Sequence, residues 1–198
     1  MKVVALSAGM SDASSTTLLA HRYADALNVH ADVEAEVVTL RELAHDITDA
    51  TLVGFASPRL QAVIDQVVAA DALVVVTPIY KASFPGLFKS FVDALDADAL
   101  TGKPVALAAT GGTARHSLAV DFSLRPLFAY LQTVTVPTGV FASPHDWGTE
   151  GVGALQSRVE RAVDELLSLA GGHGTGRGPV DSIDLFSETM LSISDPRL

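Results

Sequence analysis

Lys2-Val3-Val4-Ala5-Leu6-Ser7 runs directly into Ala8-Gly9-Met10-Ser11-Asp12-Ala13-Ser14-Ser15-Thr16-Thr17. A short, β-branched apolar run reads as a buried strand, and the hydroxyl cluster behind it reads as the start of a helix. The same change of character recurs twice. Ala72 to Thr77 leads into Thr77-Pro78-Ile79-Tyr80-Lys81-Ala82-Ser83-Phe84-Pro85-Gly86, and Pro104 to Thr110 leads into Thr110-Gly111-Gly112-Thr113-Ala114-Arg115-His116. In a parallel α/β sheet the carboxyl ends of the strands lie side by side at a switch point. Polar loops far apart in sequence then meet on one rim, where a flat, phosphorylated ligand can bind.

Outward from these stretches, strand and helix patterns alternate. Strands are expected at Lys2 to Ser7, Val33 to Thr39, Ala72 to Thr77, Pro104 to Thr110 and Thr133 to Phe141. Helices are expected at Ser15 to Leu27, Pro58 to Ala69, Pro85 to Ala94, His116 to Leu131 and Gly153 to Leu169. This predicts an α/β, doubly wound, five-stranded parallel sheet in the order 2-1-3-4-5. Ala44 to Ser57 reads as a long loop with a short helical piece. Pro126 removes the N–H that would pair with the Phe122 carbonyl, which predicts a kink or bulge there. One domain spans 1–172, and 173–198 reads as a glycine-rich linker and an apolar tail that packs on its own domain or a neighbour.

Composition narrows the function. The 198 residues are 48% hydrophobic and 18% charged, which fits one well-buried domain. Without cysteine there is no disulfide, thiolate metal site or thiol nucleophile. A net charge of −10 argues against nucleic acid and anionic membrane as partners. No run approaches the roughly 20 apolar residues of a membrane span, and no signal-peptide core is apparent, so the expected location is the cytoplasm.

Ser14, Ser15, Thr16 and Thr17 place four hydroxyls at a helix start, where free backbone amides and the positive helix end favour a phosphate; capping alone also explains them. Asp12 would repel a phosphate and is expected to face solvent or cap backbone. Pro78 and Pro85 stiffen the second loop, while Tyr80 and Phe84 offer flat apolar faces. Lys81 offers a cation for a reduced flavin or a nucleotide phosphate. Gly111 and Gly112 allow close backbone approach to a planar ligand. Together the three loops read as an FMN site. Gly9 stands alone where a dinucleotide loop needs three glycines, and Gly102-Lys103 precedes a strand, unlike a Walker A loop. Gly174-Thr175-Gly176-Arg177-Gly178 follows a helix and reads as linker. There is no G-x-S-x-G elbow, and the histidines lack metal spacing.

Thr77 to Lys89 and Ala109 to Phe122 resemble the NAD(P)H-dependent FMN reductases of flavodoxin-like fold, and the resemblance extends over Met1 to Trp147. The Tyr80-Lys81-Ala82 form is similar to the branch that feeds reduced FMN to two-component monooxygenases. The resemblance implies that Ser15, Thr16 and Thr17, with Ser7 and Ser14 beside them, bind the phosphate. It implies that Pro78, Ile79, Tyr80, Lys81, Ala82 and Ser83 flank the ribityl chain and ring, and that Thr110, Gly111, Gly112, Thr113 and His116 close over the ring. An arginine common near Ser14 in the family is missing here.

The implied activity is hydride transfer from NADPH or NADH to FMN, with no protein acid, base or metal required. The alternatives are a quinone, azo or chromate reductase with tightly bound FMN, and a flavodoxin-type electron carrier. The apolar residues Leu118, Phe122, Leu127, Phe128 and Leu131 spread around more of their helix than one core contact needs, which predicts an oligomer, the alternative being that they pack beneath the fifth strand; the resemblance implies a homodimer or homotetramer.

Overall fold

The computed structural model describes residues 1–172. The linker and tail expected at 173–198 lie outside the described residues. Strands β1 (Lys2–Ser7), β2 (Glu34–Thr39), β3 (Ala72–Pro78) and β4 (Pro104–Thr110) are parallel neighbours in the order β2-β1-β3-β4. The expected flavodoxin-like order is therefore present, with β1 beside β3.

Alternation along these strands builds two cores. Val3 and Ala5 of β1, with Val74 and Val76 of β3, face helices α1 (Ser15–Asn28) and α6 (Val152–Ala170). Val4 and Leu6, with Leu73 and Val75, face the opposite layer, made by α2 (Ala44–Val53), α3 (Pro58–Ala69), α4 (Gly86–Asp93) and α5 (Arg125–Tyr130). Strands covered on both faces read as continuous apolar runs, which is why they were legible. Helix α6 buries Leu155, Val159, Ala162, Val163 and Leu166, a stripe of helical period.

Three expectations need correction. The strand expected over Thr133 to Phe141 is two short strands, β5 (Val134–Thr135) and β6 (Val140–Ala142), each paired with β4. Pro137 between them has no N–H to give a ladder, and a Cβ on Gly139 would come within 2.7 Å of Val120, so the chain bends around that side chain. The stretch from Ala44 is a helix, preceded by a 3-10 turn at Leu40–Leu43 and closed by Gly54 at φ 83°. Its apolar stripe is only Leu43, Ile47 and Ala50, too sparse to stand out between polar residues.

The helix expected over His116 to Leu131 is broken. A 3-10 turn at Ala114–His116 is followed by a π turn at Val120–Leu124, in which the Arg125 amide donates to the Val120 carbonyl, and α5 follows. Pro126 cannot continue the ordinary ladder, and the wider turn directly ahead of it is the expected bulge. Phe128 and Leu131 are buried, whereas Leu118 is 62% and Phe122 76% exposed. Among the described residues no helix is long and apolar enough to cross a membrane.

Candidate functional site

The three loops meet at the carboxyl ends of β1, β3 and β4, and buried hydrogen bonds tie them together. Thr16 of the first loop and Thr110 of the third share a hydroxyl bond of 2.7 Å, although 94 residues separate them. The Ile79 amide donates to the Thr110 carbonyl at 2.8 Å, which joins the second loop to the third. A bond made away from water holds its partners more firmly than an exposed one, so these contacts fix the rim.

Ser14 caps α1, its hydroxyl accepting from the Thr17 amide at 3.3 Å. The Ser7 and Thr17 hydroxyls lie 3.0 Å apart and bond to each other. The four-hydroxyl cluster is thus divided in its tasks. Ser7, Ser14, Thr16 and Thr17 shape the turn, while the Ser15 hydroxyl and the first-turn amides of Ser15 and Thr16 remain for a ligand. Asp12 points to solvent and pairs with Arg41.

The second loop is a two-residue hairpin. Tyr80 and Ser83 exchange backbone bonds of 2.8 and 3.1 Å, with Lys81 at φ 53° and Ala82 at φ 68° between them. Two consecutive left-handed residues are what a type I′ turn demands, a place usually taken by Asn-Gly. Such strain costs roughly 1–3 kcal/mol per residue and concentrates at functional sites. The combined substitution Lys81→Asn and Ala82→Gly is expected to stabilise the protein by about 1 kcal/mol or more. Calorimetry should then show the unfolding midpoint rising roughly 2–4 °C per kcal/mol. A lower midpoint contradicts the turn assignment.

Gly111 and Gly112 are glycine for different reasons. A Cβ on Gly111 would lie 2.8 Å from the Phe141 ring, so packing excludes it, whereas one on Gly112 meets nothing within 4 Å. Only Gly112 leaves open space toward a ligand.

Between the loops runs a trough of about 320 Å³, lined by Ser14, Ser15, Thr16, Pro78, Ile79, Tyr80, Thr110, Gly111 and Gly112 from the expected set. Ser7, Thr17, Lys81, Ala82, Ser83, Thr113 and His116 do not line it. Ser7 and Thr17 stand behind the turn that starts α1, bonded to each other, and the others lie outside the trough. Ser11, Ala13, Pro144 and Trp147 line the trough as well and were missed. Trp147 is the protein's one tryptophan, a flat apolar face at a strand end, and that was the available signal.

A 3-10 turn at Pro144–Trp147 carries this indole, and Asp146 anchors the turn. Its carboxylate accepts from the Ser143 amide at 2.8 Å and the Ser143 hydroxyl at 2.7 Å, and pairs with Arg158, which also donates to the Phe141 carbonyl at 2.9 Å. Burial pushes the Asp146 carboxyl up, but the bonds from Ser143 and the Arg158 guanidinium outweigh burial and hold it below the ordinary carboxylate value. A folded value below the unfolded one, about 3.9, means the stabilisation is complete above that unfolded value and is lost as pH falls through the folded one. Asp146→Asn should therefore cost stability equally at pH 7 and pH 5, by about 1.5–3 kcal/mol, with the gap to wild type closing toward pH 2. Thermal unfolding across pH measures this, and a gap undiminished at pH 2 contradicts it.

The trough fits FMN. Free amides and a hydroxyl at one end suit a phosphate, apolar and aromatic walls suit a flat ring, and its volume is in the range of roughly 300–1,000 Å³ usual for small-molecule pockets. Among the described residues no cluster of His, Asp and Glu could hold a metal. Lys103 donates to the carbonyls of Val68 and Ala70, so Gly102-Lys103 closes α3 and does not serve as a nucleotide loop.

Residues 1–148 match the model of the family described as NADPH-dependent FMN reductase. An FMN reductase (NADPH) of Pseudomonas aeruginosa is 40% identical over 174 residues, covering 86% of this chain and 93% of that protein. An NADH-dependent FMN reductase of Pseudomonas putida, SfnE, is 39% identical over 175 residues, covering 87% and 94%. An oxidoreductase from Corynebacterium diphtheriae of known crystal structure superposes with a TM-score of 0.80 at 40% identity, covering 86% of this chain and 97% of that one. The fold, the site and these likenesses agree: the chain belongs to the NADPH-dependent FMN reductase family, oxidoreductases that use FMN with a reduced nicotinamide nucleotide as electron donor.

Proposed function

We propose that this chain takes FMN as an exchangeable substrate, reduces it with NADPH or NADH, and passes the product to a flavin-dependent monooxygenase in the cytoplasm. The observation that carries the reading is the trough's phosphate end, which offers amides and hydroxyls but is lined by no Lys or Arg. Neutral donors hold an anion about half as strongly as charged ones, which favours release. Bound FMN supplies the hydride acceptor, and the protein supplies orientation.

In this reading Ser15 and the amides of Ser15 and Thr16 hold the phosphate, with Ser7, Ser14 and Thr17 supporting the turn. Pro78, Ile79 and Tyr80 flank the ribityl chain and ring. Thr110, Gly111 and Gly112 lie along the ring, while Lys81, Ala82, Ser83, Thr113 and His116 form the rim that the nicotinamide nucleotide crosses. Leu118, Phe122 and Tyr130 are exposed apolar side chains on neighbouring segments, and in this reading they meet a second subunit, giving a homodimer or homotetramer. The 173–198 segment is proposed to act as a linker and tail outside the 1–172 domain.

Steady-state oxidation of NADPH and NADH with increasing free FMN tests this. A rate that rises with FMN and saturates supports it. A rate set only by co-purified flavin and indifferent to added FMN overturns it in favour of a quinone-type reductase with tightly bound flavin.

A further inference from the structure

A second groove of about 640 Å³ runs beside the trough along the outer face of α1, and Ala13, Ser14, Ser15 and Trp147 border both. Three of these four belong to the loop and first turn that the Ser14 cap holds, so Trp147 is the one large side chain in the partition. The backbone of its turn is fixed through Ser143, Asp146 and Arg158, which leaves the ring as the part free to move.

The ring is held from α1. Positions 15, 18 and 22 stack on one face of that helix, and helical side chains lean toward the N-terminus, which carries Arg22 toward the partition. Its guanidinium lies 5.0 Å from the centroid of the Trp147 ring, and both side chains are half-buried. Among the described residues Arg22 has no carboxylate in salt-bridge range, so the indole is its partner. A contact between a cation and an indole favours the stacked arrangement by about threefold to tenfold. The groove gives the ring room to turn away, and the exposed Leu18 offers it an apolar surface there. Asp12 lines the groove as well. Its carboxylate, although paired with Arg41, makes the groove a poor resting place for a phosphate and leaves it as space for the ring.

We propose, resting on the FMN reading above, that Arg22 is a positioning residue that latches the Trp147 ring across the phosphate end of the trough and so sets the rate of FMN exchange. With the ring stacked on Arg22 the partition is in place. With the ring turned toward Leu18 the trough and the groove join, and the phosphate end opens to solvent. Arg22 makes the same contact whether the trough is empty or filled, and the open arrangement serves entry and exit alike. Loosening the latch therefore speeds both and leaves the affinity nearly unchanged.

Stopped-flow mixing of flavin-free, full-length protein with FMN, and dilution of the complex, read the two rates in wild type, Arg22→Gln, Trp147→Ala and the double variant, with unfolding midpoints to verify each. Arg22→Gln is expected to raise association and dissociation alike by about threefold to tenfold, with Kd changed less than about twofold. In the Trp147→Ala background the same replacement is expected to change neither rate, because Arg22 acts through the ring. Arg22→Lys keeps the charge and part of the stacking, and its rates should lie between those of wild type and Arg22→Gln. Trp147 is the one tryptophan of the chain, so the polarisation of its emission should also fall in Arg22→Gln before any flavin is added. Unchanged rates in Arg22→Gln, or an equal effect without the indole, overturn the proposal. Slower association with weaker affinity, more marked at low salt, assigns Arg22 to direct attraction of the phosphate and also overturns it. A wild type that retains its flavin while Arg22→Gln exchanges it supports the latch and contradicts the exchange reading. A wild type that binds no FMN overturns the FMN reading, and the latch with it.

Discussion

Replacing Gly9 with alanine is expected to weaken FMN binding about a hundredfold, close to 2.7 kcal/mol. A Cβ at Gly9 would lie 2.3 Å from Ser14 Oγ, 2.7 Å from Thr17 Oγ1 and 2.9 Å from Ser14 Cβ. No rotation of a short serine side chain relieves all three contacts, so the cap itself must move. Losing the Ser14 cap costs about 1 kcal/mol, and losing the bond between Ser7 and Thr17 costs about as much again. The first-turn amides are displaced from the phosphate in the same step. Flavin titration and thermal unfolding together measure this, and the midpoint should fall by about 4–8 °C. FMN affinity within twofold of wild type would show that the first loop does not hold the phosphate.

Replacing Ser15, Thr16 and Thr17 together with alanine should lower FMN affinity by several kcal/mol, at about 0.5–1.5 kcal/mol per neutral bond and more toward a charged acceptor. Stability of the flavin-free protein should fall too, by about 2 kcal/mol, because the triple change removes the bonds to Thr110 and Ser7. Ser15→Ala separates the two effects. Its hydroxyl has no partner among the described residues, so affinity should drop about tenfold with the unfolding midpoint unchanged. An unchanged affinity in the single variant assigns the serine to the solvated surface.

Both predictions depend on features of unequal visibility in the sequence. The order of β1 to β4 and the three rim loops were legible because strands buried on both faces are uninterrupted apolar runs that end abruptly in polar residues. The division of labour among Ser14, Ser15, Thr16 and Thr17 was not. Which hydroxyl bonds to Thr110 or Ser7 depends on strands that approach only after folding. Gly111 read as a ligand-contacting glycine, and the fold adds a second demand that the sequence did not announce, the Phe141 ring from β6. Lys81 read as a cation for a reduced flavin or a nucleotide phosphate, and its left-handed backbone is a property that residue type does not announce. Trp147 escaped attention because the turn presenting it is held by Asp146 and Arg158, the latter in the final helix.

The central claim is that the flavin lies in the trough with its phosphate at the start of α1, and a crystal structure of the chain soaked with FMN tests it most directly. The account predicts phosphate oxygens within hydrogen-bond range of the Ser15 and Thr16 amides and the Ser15 hydroxyl. It also places the ring alongside Tyr80 and the Thr110 to Gly112 backbone. A flavin found elsewhere, for example in the hollow between α2 and α4 beside Phe55, or a phosphate turned away from α1, would contradict it.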